Sequence, residues 1–158
     1  MNLTPRHTGI CVSDLGRSLR FWCDGLGYST TFVPKSGPEW APVLEVDGHV
    51  EFTSHFISKG DSTFELLAFA EPKSFGSPSS TRLHHGLTHL CVEVGAEENF
   101  DEVIDHLVEH GGTLVETTKK VFDTSFMTAE VAFVADPDGT RVELLRVTMK
   151  SGQNAPMF

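Results

Sequence analysis

Apolar and polar residues alternate strictly in two stretches of the chain, and the two stretches share one pattern. In residues 6–12, Thr8, Ile10 and Val12 point one way while His7, Gly9 and Cys11 point the other. In residues 88–94, Leu90, Val92 and Val94 oppose His89, Cys91 and Glu93. Each stretch reads as a strand with an apolar face for packing and a second face led by a histidine. A helix is predicted after each. In the first, Ser13 or Asp14 supplies a cap, Leu15, Leu19, Trp22 and Leu26 recur on one face, and Gly25 and Gly27 offer a stop. In the second, Glu97, Glu98 and Asp101 place negative charge in the first turn, where the helix dipole favours it. Phe100, Val103, Ile104, Leu107 and Val108 form its apolar stripe, ended by Gly111-Gly112.

Strands are predicted to close each half. In the first they cover residues 28–33, roughly 43–46, and 50–58, with Lys59-Gly60-Asp61 turning into 63–69. In the second they cover 113–116 and 128–135, with Asp136-Pro137-Asp138-Gly139 turning into 140–147. The last strands match almost residue for residue, Phe64-Glu65-Leu66-Leu67-Ala68-Phe69 against Val142-Glu143-Leu144-Leu145-Arg146-Val147. This predicts an α+β fold of two tandem βαβββ modules, a curved, cupped mixed sheet with helices on the convex face. Module one spans about 5–70, a Ser/Pro/Gly-rich linker about 72–82, module two about 84–148 and a C-terminal tail 149–158, all within one domain of 158 residues.

Composition narrows the function. With 12 Lys+Arg against 22 Asp+Glu the net charge is -10, and no basic cluster exists to neutralise phosphates, which argues against nucleic acid and anionic membrane as partners. No apolar run approaches the roughly 20 residues of a spanning helix, and Met1-Asn2-Leu3-Thr4-Pro5 does not read as a signal peptide. Cys11, Cys23 and Cys91 are odd in number and lack C-x-x-C spacing, so reduced thiols in a cytoplasmic protein are expected.

Alternation brings the chemistry into view. With the helices covering the Ile10/Val12 and Val92/Val94 faces, His7 and His89 point into the concavity, and Glu65 and Glu143 occupy equivalent places on the closing strands. A buried carboxylate in a strand such as Phe-Glu-Leu-Leu costs several kcal/mol unless paired or coordinated. The duplication of that arrangement favours a divalent metal held by His7, Glu65, His89 and Glu143. Two neutral imidazoles and two carboxylates suit Zn²⁺, Ni²⁺ or Co²⁺, with Fe or Mn as further options. The competing reading makes each Glu the salt-bridge partner of an Arg or Lys. His106 and His110 share the i, i+4 spacing of zinc-protease helices, but Glu109 is misplaced for H-E-x-x-H, so they read as a solvated face. Of His84 and His85, at most one would reach the cleft. Cys11 and Cys91 line its wall or act as small apolar fillers. Gly25-Leu26-Gly27 follows a helix and opens none, which argues against a dinucleotide site.

His7 with Val12-Ser13-Asp14-Leu15, Ser18-Leu19-Arg20-Phe21-Trp22 and Leu26-Gly27-Tyr28 resembles the opening of the vicinal oxygen chelate superfamily. Residues 131–139, Val-Ala-Phe-Val-Ala-Asp-Pro-Asp-Gly, followed by Glu143-Leu144, resemble its close. The resemblance covers roughly residues 6 to 147 and extends to glyoxalase I, methylmalonyl-CoA epimerase, fosfomycin-resistance proteins, extradiol dioxygenases and bleomycin-binding proteins. It implies metal positions at His7, Glu65, His89 and Glu143. The order His, Glu, His, Glu is similar to that of bacterial-type glyoxalase I; extradiol dioxygenases use two His and one carboxylate, epimerases typically carry Gln at the place of Glu65, and bleomycin binders usually lack the set. The resemblance therefore implies a glyoxalase I-like lyase or isomerase acting on a small vicinal-oxygen substrate, in some relatives a thiol conjugate, through a metal-stabilised enediolate, with Glu143 and Glu65 as the catalytic carboxylates. Arg17, Arg20, Lys35 and Arg82 are candidates to bind a thiol cofactor's carboxylates, and Trp40, in the stretch 36–42, to close over a ligand. A homodimer is expected, because open half-sheets leave edges and apolar flanks for a symmetric partner. The alternatives are an Fe- or Mn-dependent dioxygenase or antibiotic-resistance protein of the same fold, and a metal-free protein that sequesters a hydrophobic ligand among Trp22, Trp40 and Phe residues.

Overall fold

The computed structural model describes residues 1–78, 81 and 83–150. Arg82 and the tail from Ser151 onward lie outside the described residues. The chain divides into two compact units, Met1–Ser77 and Pro78–Phe158.

The first unit begins with β1 (Thr8–Val12), in which only Ile10 and Val12 are buried. Helix α1 (Leu15–Leu19) follows, and the Asp14 carboxylate accepts the Arg17 amide at 2.8 Å, satisfying one of the free donors at the helix start. The helix then widens into a π turn over Arg20–Gly25. The wider turn lets the adjacent Phe21 and Trp22 both reach the core, where they are almost fully buried. Gly27, at φ +76°, reverses the chain into β2 (Ser29–Phe32). Strands β3 (Glu51–Lys59) and β4 (Ser62–Glu71) complete a four-stranded sheet in the order β1-β4-β3-β2, with β1 parallel to β4 and the other pairs antiparallel. The core lies on the helix side of the sheet, where Trp22 packs against Phe21, Tyr28 and Phe64 with ring centroids 5.0–5.9 Å away.

The second unit repeats the plan. Strand β5 (Leu90–Glu93) leads to α2 (Phe100–Glu109), then β6 (Thr113–Leu114), β7 (Lys120–Asp123), β8 (Met127–Ala135) and β9 (Arg141–Met149). The order is β5-β9-β8-β6, with β7 also on β8 and β5 parallel to β9. Phe100, Ile104 and Leu107 of α2 are buried, as are Ala132, Val134, Val142 and Leu144 of the sheet. The turn between β8 and β9 is closed by Asp136, whose buried carboxylate accepts the amides of Asp138 and Thr140 at 3.0 and 2.7 Å.

The α+β class and its βαβββ plan are those read from the sequence, with four local corrections. Residues 43–46 form no strand. They lie in successive turns after Pro38–Trp40, with Val43 and Leu44 both donating to the Trp40 carbonyl, and Pro42 and the positive φ of Glu45 interrupt any extended run. Strand β7 has no counterpart in the sequence-based reading, because all four of its residues are exposed and leave no alternating apolar face. Helix α2 is capped by Asn99, which accepts the Asp101 and Glu102 amides, so Glu97 and Glu98 precede the first turn. Val108 stands out of the apolar stripe at 43% exposure.

Candidate metal centre

In the first unit, strand register decides which side chains share the face away from the helix. Gly9 of β1 and Phe56 of β3 flank Glu65 of β4 in register, and His7 directly precedes β1. His7 Nε2 stands 3.2 Å from Glu65 Oε2. The Phe56 ring meets the imidazole edge-on, with centroids 5.1 Å apart and planes at 88°. The other oxygen, Oε1, accepts a hydrogen bond from the hydroxyl of Ser54, one diagonal step along β3, and Ser54 is buried.

The second unit builds the same constellation from its own strands. Cys91 of β5 and Phe133 of β8 flank Glu143 of β9. His89 Nε2 stands 3.1 Å from Glu143 Oε2, and the Phe133 ring meets the imidazole at 5.2 Å and 88°. The Cys91 thiol hydrogen-bonds to Glu143; burial, this carboxylate and Glu93 together push the thiol up to about 11. The Thr88 hydroxyl lies 3.0 Å from His89 Nδ1 and orients the ring from its far side.

Both carboxylates are mostly shielded, with side chains 19% and 20% exposed at Glu65 and Glu143. The competing sequence reading required an Arg or Lys at each Glu; the partner is an imidazole in both cases. An imidazole Nε2 facing a carboxylate oxygen across about 3 Å is a donor set of the type borderline divalent cations prefer. The structure thus brings His7 to Glu65 and His89 to Glu143. Among the described residues no group of three or more His, Cys, Asp or Glu side chains stands in metal-binding reach.

The remaining candidates distribute as follows. His106 and His110 stack at 4.2 Å on the exposed side of α2, the solvated face read from the sequence, and His110 Nδ1 bonds the His106 carbonyl. His84 and His85 are both exposed in the bends before β5. Arg17, Arg20 and Lys35 are exposed, and Trp40 is 47% exposed in its short turn. Trp22 cannot line a ligand pocket as the sequestration reading required, because it fills the core behind β4 at 1% exposure. Cys11, Cys23 and Cys91 are in no disulfide among the described residues. Phe56, Phe133 and Ser54 escaped the sequence reading. Their only signal was a register opposite each Glu for the two Phe and one diagonal step away for Ser54, which follows once β3 is paired with β4 and β8 with β9.

The sequence profile of the glyoxalase/bleomycin resistance protein/dioxygenase superfamily matches residues 4–144. The chain belongs to that superfamily. Within it, the chain is 29% identical over 144 residues to a probable lactoylglutathione lyase of Synechocystis sp., covering 91% of this chain and 95% of that protein. Among superfamily structures, a glyoxalase family protein from Bacillus cereus superposes with a TM-score of 0.75 at 19% identity, covering 93% of this chain and 95% of its own, a likeness of fold. The trypanothione-dependent glyoxalase I of Leishmania major superposes with a TM-score of 0.58 at 25% identity, covering 90% and 87% of the two chains. No helix among the described residues is long and apolar enough to cross a membrane.

Proposed function

We propose that His7, Glu65, His89 and Glu143 together hold one divalent cation, and that the protein is a glyoxalase I-like lyase or isomerase acting on a small thiol conjugate with adjacent oxygens. The observation that carries this reading is the duplicated His–Glu pair, braced by Phe56 in one unit and Phe133 in the other. Salt-bridge architecture has no reason to repeat an imidazole, a carboxylate and an edge-on ring at the same register twice. Zn²⁺, Ni²⁺ or Co²⁺ suits two nitrogens and two oxygens, and two carboxylates balance its charge. When bound, the ion supplies Lewis-acid polarisation of the substrate's two oxygens.

The chain's own groups do the rest. His7 and His89 offer neutral Nε2 lone pairs and take no part in proton transfer, and Thr88 fixes the ring of His89. Glu143 removes the proton from the substrate carbon and delivers it to the neighbouring carbon, with Glu65 as the second catalytic carboxylate. The Phe56 and Phe133 rings exclude water from the carboxylates and keep the imidazole planes in place. The relation to a probable lactoylglutathione lyase supports the substrate class, and three cysteines outside any disulfide fit a cytoplasmic setting. The active species is a homodimer.

The test is an assay with methylglyoxal and a panel of thiols, run on metal-free protein and after addition of Ni²⁺, Co²⁺ or Zn²⁺. Turnover with at least one thiol, abolished by chelator and restored by metal, is expected. Absence of turnover with every pairing refutes the glyoxalase reading.

A further inference from the structure

Each unit serves as the other's control, and the two carboxylates differ in the residues on their two flanks. At Glu65 both oxygens are held: Oε2 by His7 at 3.2 Å and Oε1 by the Ser54 hydroxyl from the neighbouring strand. Ser54 lies in register with Leu67, two residues beyond Glu65. The equivalent place in the second unit, in register with Leu145 two residues beyond Glu143, is Val131, which has no donor. The strand on the other flank shows the converse. Gly9 beside Glu65 has no side chain, whereas Cys91 beside Glu143 offers a thiol, a weak donor.

We propose that Ser54 is a positioning residue that fixes Glu65 as the constant metal ligand, and that its replacement by Val131 in the second unit leaves Glu143 free to swing and carry a proton. The inference rests on the metal-bound reading above and assigns what divides the labour between the two carboxylates. Turning Glu65 away breaks an O–H···O bond and leaves the buried Ser54 hydroxyl, 3% exposed, with no acceptor. Turning Glu143 away gives up, beyond the His89 contact that Glu65 matches with His7, only an S–H···O contact, and a Cys side chain tolerates an apolar environment without a partner. The rotation that a proton-shuttling carboxylate requires is therefore opposed at Glu65 and permitted at Glu143.

The experiment uses Co²⁺ as the probe on wild type, Ser54→Ala, Ser54→Thr and Val131→Ser, each checked for fold by circular dichroism. Co²⁺ affinity and the visible d–d spectrum are read by titration, and kcat and KM are measured with methylglyoxal and the most active thiol. Ser54→Ala is expected to weaken Co²⁺ about tenfold or more and to shift the spectrum. Ser54→Thr, which keeps the hydroxyl, restores both. Val131→Ser gives Glu143 the same anchor and is expected to lower kcat about tenfold with KM and Co²⁺ affinity held or improved. A Ser54→Ala protein with wild-type affinity and spectrum overturns the proposal, as does a Val131→Ser protein with unchanged kcat. A wild type that binds no Co²⁺ overturns the metal reading itself, a failure distinct from either of these.

Discussion

Replacing Glu65 or Glu143 by Gln distinguishes a metal ligand from a structural charge. Each carboxylate faces a His, at 3.2 and 3.1 Å, and retains about a fifth of its side-chain exposure. Gln keeps the shape and an acceptor for Ser54 or Cys91, and it strands no Arg or Lys. The loss is one charge-assisted hydrogen bond, about 1.5 kcal/mol. Removing one member of a buried Arg or Lys pair would instead cost roughly 3–5 kcal/mol. For a chain of this size each kcal/mol moves the melting midpoint by roughly 2–4 °C, so the metal-free Gln variants should melt about 3–6 °C below metal-free wild type. Free metal at a hundredfold excess over its Kd stabilises wild type by about 2.7 kcal/mol, or roughly 5–10 °C. Each Gln variant loses a strong anionic ligand and should gain far less. The assay is thermal unfolding of the three proteins at pH 7.5 in EDTA and in excess Ni²⁺. A wild type whose midpoint is the same in both buffers, beside Gln variants that fall by more than about 10 °C in EDTA, would refute the ligand assignment.

Cys91 offers a pH test. With its thiol at about 11 instead of the ordinary 9.0, it carries about 1% thiolate at pH 9 where an unfolded cysteine is half ionised. Iodoacetamide should therefore label native, EDTA-treated protein at Cys91 roughly fifty times more slowly than unfolded protein, as read by mass spectrometry of the Cys91 peptide; equal rates would contradict the assigned environment. The folded state holds this proton more tightly, so its contribution to stability is full below pH 9.0 and is lost as pH rises toward about 11, a decline that urea titrations across that window would register. Trp22→Ala, which empties the largest fully buried side chain of the first unit, should cost about 3–5 kcal/mol, and Trp22→Phe markedly less; a Trp22→Ala variant melting like wild type would remove the core assignment.

The histidines and glutamates were legible because strand periodicity fixes which way a side chain points. His7 and His89 fall on the faces opposite Ile10/Val12 and Val92/Val94, and a residue on such a face meets its neighbour in the next strand whatever the loops do. Repetition added the second half of the argument: Glu65 stands in Phe-Glu-Leu-Leu as Glu143 stands in Val-Glu-Leu-Leu. Ser54, Phe56 and Phe133 were not legible, since their place beside a Glu depends on register between strands, which alternation alone does not set. Trp22 is buried as its place in the apolar stripe predicts, and only the sequestration alternative put it in a cleft. Phe21 was not legible in that stripe, because a regular helix turns it off the Leu15, Leu19, Trp22 and Leu26 face, whereas the π turn over Arg20–Gly25 brings it into the core beside Trp22. Strand β7 and the turns at residues 41–45 mark the same limit. Exposed edge residues such as Val121 and Phe122 carry no periodic signal, and Val43, 69% exposed, mimics a strand residue without a sheet to join.

The parallel pairing of β1 with β4, and of β5 with β9, has a dynamic consequence. In each unit the imidazole directly precedes the first strand and the carboxylate belongs to the last, so the pair closes a loop over nearly the whole unit. Strands β1 and β5 each have one neighbour within their own sheet and sit where fraying is cheapest. Any ligand shared by His7 and Glu65 acts as a clasp on that strand, and the same holds for His89 and Glu143. Amide hydrogen exchange along Ile10–Val12 and Val92–Val94 therefore reports occupancy of the pair from the backbone, with no need to observe the ligand, the substrate or any side chain.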